Sequence, residues 1–411
     1  MNDDGMDSDR RGRYECISGL FTRLNSNYVT KEELSLAGFG DIILNPKNPK
    51  HKEAQVSRYG MELAEGTEIF AGIDLHERTW TVTVRTREVE LFTKGIPGKW
   101  LMLRGILERY KGSKIRAVYE AGCFGYWLYD ELRANGVSCI VTPPSLVPQE
   151  HGNKVKTDRR DSRKLACLLA KGLLKGIWVP MEEDRYHRTV IRRRHQIIQE
   201  RVRIQHRITS ELRVYGIKLP EEVSKWSTAY VSNLKSIRFR DHFMQESFNR
   251  LLREYDFFCE ELEAQTRLVK ELSETGKYRK HVDILCSIPG VGVITAMEFL
   301  LEIQDVSRFE RADQLAAYVG LTPCQYSSGD KVRMGRITKI GKNHLRALLI
   351  EASWQIIKKD SQKRARYENI KMRAGGKRAI VGIARRLILT MRRMLLNTRT
   401  YREMKDAKKA A

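Results

Sequence analysis

The chain has 411 residues, with 75 Lys and Arg against 51 Asp and Glu, a formal charge of +24, and 41% apolar residues. That length accommodates two or three domains, and the apolar share favours folded cores over a short charge-packing protein. So large a positive excess points to a polyanionic partner, nucleic acid being the commonest. Seven cysteines (Cys16, Cys123, Cys139, Cys167, Cys259, Cys286 and Cys324) form no CxxC pair, and neither a signal peptide nor an apolar run of membrane length is visible. This predicts a reduced, cytoplasmic protein with no membrane partner and no structural zinc.

Residues 1–66 alternate short polar clusters with weak apolar pieces. They are expected to be an N-terminal extension without a fold of its own, either an appendage or a stretch ahead of a true start at Met61. Residues 1–60 hold nine basic and nine acidic side chains, so the charge excess lies wholly downstream, and residues 361–411 carry sixteen basic against three acidic.

The first strong signal, EIFAGIDLHERTWTVTVRTREVELFTKG, alternates Val, Ile, Thr and Phe across three strands with tight turns. A helical stretch (PGKWLMLRGILERYKG), a strand (KIRAVYEA), a helix (FGYWLYDELRANG), a strand (VSCIVTPP) and a helix (DRRDSRKLACLLAKG) follow. Three strands before any helix must meander, whereas strands separated by helices need crossovers that make them parallel. The expected domain, residues 67–181, is therefore a mixed sheet covered by helices, as in ribonuclease-H-like folds.

Residues 182–280 change to long helices. Val190, Ile197 and Ile204 recur every seven residues and Ile208, Leu212 and Tyr215 continue the stripe; Leu251, Tyr255, Phe258, Leu262, Val269 and Leu272 form a second one. Joined around Pro220, the two predict an antiparallel coiled-coil arm, or else a plain helical bundle. The third region, 281–400, is expected to be mainly helical and to end in two basic helices broken at Gly375 and Gly376, with 401–411 a basic tail. It opens on IPGVG between helical runs, the pattern of a helix-hairpin-helix turn. Pro289, Gly290 and Gly292 would let backbone N–H groups approach a DNA phosphate. An ordinary turn between core helices is the alternative.

Four acids of the first domain stand out. Asp74 interrupts the apolar strand FAGIDLH, where a charge costs several kcal/mol unless paired or bound to a cation. Glu120 ends KIRAVYEA, and Asp158 and Asp161, three apart near a helix start, share a face. Two strand ends and one helix face can converge into an oxygen-rich site for divalent cations suited to phosphodiester chemistry. Helix capping by Asp158 and Asp161, and a salt bridge of Glu120 to a nearby Arg, are the competing structural explanations.

FAGIDLH, AVYEAG and KTDRRDSRKLA, in that order, resemble the DEDD-type insertion-sequence transposases, relatives of the Piv DNA invertase, whose N-terminal domain is similar to the resolvase RuvC. IPGVGVITA, FERADQLAAYVGLTP, SSG and GRITKIGKNHLRALLIEASW resemble the C-terminal transposase domain of the same family, so the likeness runs from about residue 69 to 400. It implies Mg²⁺ held by Asp74, Glu120, Asp158 and Asp161, and a catalytic serine before a Gly and five residues after a Pro, which places it at Ser328. It also implies a phosphoserine intermediate with DNA, a composite site in a homo-oligomer (dimer to tetramer), and a structured guide RNA that pairs with target and donor DNA.

Lys331, Arg333, Arg336 and Lys339 would hold the DNA strand near the serine. The function expected is that of a transposase or site-specific recombinase acting on element ends and target. The alternatives are a RuvC-type metal-dependent nuclease that uses water, and a non-catalytic nucleic-acid-binding protein.

Overall fold

The computed structural model describes residues 64–148, 157–218, 220, 222–326, 328 and 333–410. Residues 1–63 of the expected N-terminal extension lie outside them, as do Ser327 and Lys331. The chain divides into two compact units, one ending at Val179 and the other beginning at Pro180.

The first unit is built on a five-stranded sheet. Its strands are β1 (Glu68–Leu75), β2 (Thr79–Arg85), β3 (Glu90–Pro97), β4 (Lys114–Glu120) and β5 (Ser138–Thr142), in the order β3-β2-β1-β4-β5. β1, β2 and β3 pair antiparallel, while β4 and β5 join as parallel strands. This is the meander followed by crossovers that the strand and helix order demands. Helices α1 (Trp100–Leu107) and α2 (Trp127–Ala134) contribute to a core with Ile69, Ala71, Ile73, Val82, Leu103 and Leu132. Helix α3 (Asp158–Ala170) contributes Leu165 and Leu169 to a separate cluster with Phe70 and Val118. Because strand side chains alternate, Phe70, Gly72 and Asp74 share one face of β1, and that is the face α3 covers.

The second unit begins with two long helices, α4 (Glu182–Val214) and α6 (His242–Ser273), with the short α5 (Thr228–Ser236) between them. Ile204, Ile208 and Leu212 near the end of α4 pack with Phe248, Leu251, Leu252 and Tyr255 near the start of α6, so the pair runs antiparallel. Helix α4 is about 50 Å long at 1.5 Å per residue. Tyr230 and Leu234 of α5, an element absent from the heptad reading, close this cluster. Tyr215 departs from the predicted stripe. It lies one residue past the end of α4, is exposed, and meets Phe239 edge-on.

The opposite ends of the two helices, at Ile191 and Val269, join a larger core. That core also takes in α7 (Arg279–Cys286), α8 (Val293–Ile303), α9 (Ala312–Val319), α10 (Asn343–Lys359), α11 (Ser361–Ala374) and α12 (Gly376–Asn397). A two-stranded hairpin, β6 (Pro323–Gln325) and β7 (Met334–Ile337), separates α9 from α10. The helix break falls at Gly375 alone, since Gly376 already opens α12. The segment expected to be a basic tail forms α13 (Tyr401–Ala410). Tyr401 is buried, its hydroxyl donates to Asp360 at 2.8 Å and its N–H to Ser287 Oγ at 2.8 Å, so this helix is docked on the body.

Candidate active site

The first unit gathers its acids at one end of the sheet. Ile73 pairs with Tyr119 in the parallel β1–β4 ladder, so Asp74 and Glu120 are neighbours at adjacent strand ends. By strand alternation both stand on the face that carries Phe70 and Val118, toward α3.

Helix α3 is fixed over that face by several independent contacts. Thr157 caps it, its side chain accepting from the Arg160 N–H. The buried Ser162 hydroxyl lies 2.9 Å from the Thr83 hydroxyl, and Arg163 forks onto Glu90 at 2.8 and 3.0 Å. Gly72 permits the close approach: a Cβ there would stand 2.2 Å from the Ser162 carbonyl oxygen and 2.5 Å from the Ala166 nitrogen. Gly72→Ala therefore pushes α3 off the sheet. Its expected cost is about 1–3 kcal/mol, the usual price of overpacking, together with weaker divalent-ion binding as Asp158 moves. Urea unfolding and metal titration check both.

With α3 in place, Asp74, His76 and Asp158 bring one ligand atom each within 4.8 Å of one another. His76 Nε2 lies 3.3 Å from Asp74 Oδ2 and 3.5 Å from Asp158 Oδ1. Asp74 is held above the usual carboxylate range, first by burial and then by the charges of Asp158 and Asp161, with His76 opposing. Its Oδ2 is buried, and His76 Nε2 at 3.3 Å is its neighbouring donor. A buried carboxylate oxygen met by a histidine nitrogen that can itself ligate, among further acids, fits a bound cation. His76 was not among the predicted ligands. Its signal was the spacing in Asp-Leu-His, which puts Asp74 and His76 on the same side of an extended chain.

In the second unit Ser328 is exposed in a bridge position beyond β6. The hairpin is closed by the Tyr326 N–H donating to the Arg333 carbonyl at 2.8 Å, and Tyr326 itself is 72% exposed. Arg333, Arg336 and Lys339 are exposed along the same hairpin and its exit. At the Gly-rich turn, Gly290 has φ +92°, and its absent Cβ makes room for Gln355 of α10, 2.6 Å from where that atom would be. Gly290 is thus shaped for packing, while Gly292 is exposed at the N-terminus of α8. Pro289 is half-buried between them and the end of α7.

A mixed sheet with acids gathered at one end, followed by a helical unit with an exposed basic hairpin, fits an enzyme that acts on nucleic acid. Residues 71–217 match a family model described as Transposase, of the DEDD IS110 type, and residues 282–368 match the model described as Transposase IS116/IS110/IS902 family. The chain belongs to this IS110/IS116 family of transposases. Among curated relatives it is similar to the y4qE protein of Sinorhizobium fredii, 29% identical over 303 residues that cover 72% of this chain and 73% of the relative. It is also similar to the transposase for insertion sequence element IS1533 of Leptospira borgpetersenii, at 28% over 70% of this chain and 85% of the relative. The transposase for insertion sequence element IS1111A of Coxiella burnetii is 25% identical over 70% of this chain and 80% of its own length. No helix among the described residues is long and apolar enough to cross a membrane.

Proposed function

We propose that this transposase cuts and rejoins DNA through a covalent phosphoserine intermediate formed by Ser328. In that step an Oγ–P bond forms, one P–O bond to deoxyribose breaks, and the serine proton ends on the departing sugar oxygen. Asp74, Glu120, Asp158 and Asp161, with His76 beside them, would hold Mg²⁺. The ion, when bound, neutralises charge on the phosphate under attack. The grouping of Asp74, His76 and Asp158 supports the cation part of this reading, and the exposure of Ser328 on a hairpin with Arg333 and Arg336 supports the serine part.

Several finer points belong to the same proposal. Residues 67–181 would be the catalytic domain, 182–280 the arm and 281–400 the transposase domain. Arg333, Arg336, Lys339 and Lys331 would hold the strand near Ser328, and the turn of Pro289, Gly290 and Gly292 would meet a DNA phosphate, Gly292 at the exposed position. Carboxylates and serine would complete one site in a homo-oligomer, guided by a structured RNA of the element. The charge of the chain supports a nucleic-acid partner without choosing between DNA and RNA.

The test incubates the protein with element-end DNA, the noncoding RNA of the element and a divalent cation, and runs denaturing gels. A protein–DNA adduct retained in Ser327→Ala and lost in Ser328→Ala is expected. Cleavage that persists in Ser328→Ala contradicts the serine mechanism and favours hydrolysis by water.

A further inference from the structure

Within the second unit, α4, α8 and the start of α10 line an open pocket of about 430 Å³. Its floor is formed by Glu298 and Glu302 of α8, 6% and 4% exposed; its wall by His195 and His344, whose rings lie 3.3 Å apart between centroids; its rim by Gln196, Gln199 and Asn343.

The polar groups of this cavity are unevenly satisfied. Glu302 accepts from Arg192 at 2.7 Å and from Lys342 at 2.8 Å. Glu298 is acted on by the charges of Arg192, Arg194 and Lys342, which oppose the effect of its burial. Burial, and then the charge of Glu302, push its carboxyl up to about 7, so near neutrality it can donate as well as accept. His195 Nε2 is buried without a partner, and burial lowers the pKa of both imidazoles, which disfavours their charged forms.

These features select a class of ligand. A free phosphate is disfavoured, because the two cations of the lining, Arg192 and Lys342, are already engaged by Glu302. A metal ion is disfavoured too, since among the described residues only Asp74, His76 and Asp158 bring three ligand atoms within 4.8 Å. A flat, neutral group with donors and acceptors along its edge suits the imidazole wall, the amide rim and the Glu298 carboxyl. Unstacked nucleobases are recognised in this way, against rings such as His and through their edges. The cavity volume is within the range of small-ligand pockets.

We propose that this cavity receives an unpaired nucleobase of a nucleic-acid strand, held against His195 and His344 and hydrogen-bonded by Glu298 with Gln196, Gln199 or Asn343. The proposal rests on the chain's being a nucleic-acid-handling transposase, but not on the phosphoserine step. The test photocrosslinks the full chain to single strands carrying 4-thiothymidine (DNA) or 4-thiouridine (RNA) and maps the adducts by mass spectrometry, with affinity read by anisotropy of an end label. Adducts on peptides holding His195 or His344 are expected, and the strand that gives them identifies whether DNA or RNA supplies the base. Gln199→Trp, at the exposed rim, should remove those adducts and weaken short-strand binding about tenfold, the loss of one stacked base, with thermal unfolding unchanged. Adducts confined to other surfaces, or unaltered in Gln199→Trp, overturn the proposal while leaving Ser328 adduct formation intact. Binding of neither strand contradicts it together with the transposase function.

Discussion

Asp74→Asn is expected to lower DNA cleavage by at least about 10²–10³-fold, the scale of losing one preorganised electrostatic contact, while leaving the fold intact or more stable. The two effects have one origin. Burial and the nearby Asp158 and Asp161 raise the pKa of Asp74, so the folded chain binds its proton more tightly than the unfolded chain does. Above the ordinary carboxylate range the ionised side chain then works against folding, and Asn removes that penalty. A bound cation reverses the balance in the wild type. Added Mg²⁺ or Mn²⁺ should raise the melting temperature of the wild type by mass action and leave that of Asp74→Asn unmoved. A variant that melts at lower temperature and loses activity in proportion would make Asp74 a structural residue.

The second large effect is expected at Glu302. Its side chain is 5% exposed and draws Arg192 of α4 (2.7 Å), Lys342 at the start of α10 (2.8 Å) and, more distantly, Arg188 (3.8 Å) onto one carboxylate of α8. Removing one partner of a buried ion pair costs about 3–5 kcal/mol, and Glu302→Ala should fall near the lower end because Arg192 is half exposed. Burial by itself would raise the Glu302 pKa, yet the hydrogen bonds and charges of Arg192 and Lys342 bring it down to about 2. A depressed carboxylate stabilises the fold above its unfolded pKa, near 4.5, and loses that contribution as pH falls from there toward 2. The stability gap between wild type and Glu302→Ala in urea should therefore be full at pH 7 and shrink on acidification through that window. Since Lys342 closely follows β7, the variant should also loosen the hairpin that carries Ser328.

Much of this architecture was legible because each element obeyed one local rule. Alternation in EIFAGIDL and TWTVTVR gave the meander, and the helices between KIRAVYE and SCIVT forced the parallel additions. The sevenfold recurrence of Ile197 and Ile204 marked the long helix pair, whereas α5 between them has only nine residues and no such stripe. Asp74 was conspicuous as a charge in an apolar strand. The same argument applied to Glu298 and Glu302 in MEFLLEI, four apart on an otherwise apolar helix, would have flagged the second cluster. What no local rule supplies is the partner: that Arg192 and Lys342, 150 positions apart in sequence, meet Glu302 follows only from packing. His76 was hidden for a related reason, since an exposed His after a strand is ordinary until α3 brings Asp158 to it. Tyr401 likewise reads as part of a basic tail until Asp360 is seen to accept its hydroxyl.

In the proposed reaction Ser328 bonds to DNA with the carboxylates of the first unit in support. The most direct measurement is to digest the trapped protein–DNA adduct with nuclease and protease and to sequence the nucleotide-bearing peptide by tandem mass spectrometry, for wild type and Asp74→Asn. A phosphodiester on Ser328 is expected in the wild type and none in Asp74→Asn. A nucleotide on the exposed Tyr326, or cleaved DNA with free ends and no peptide attached, would contradict it.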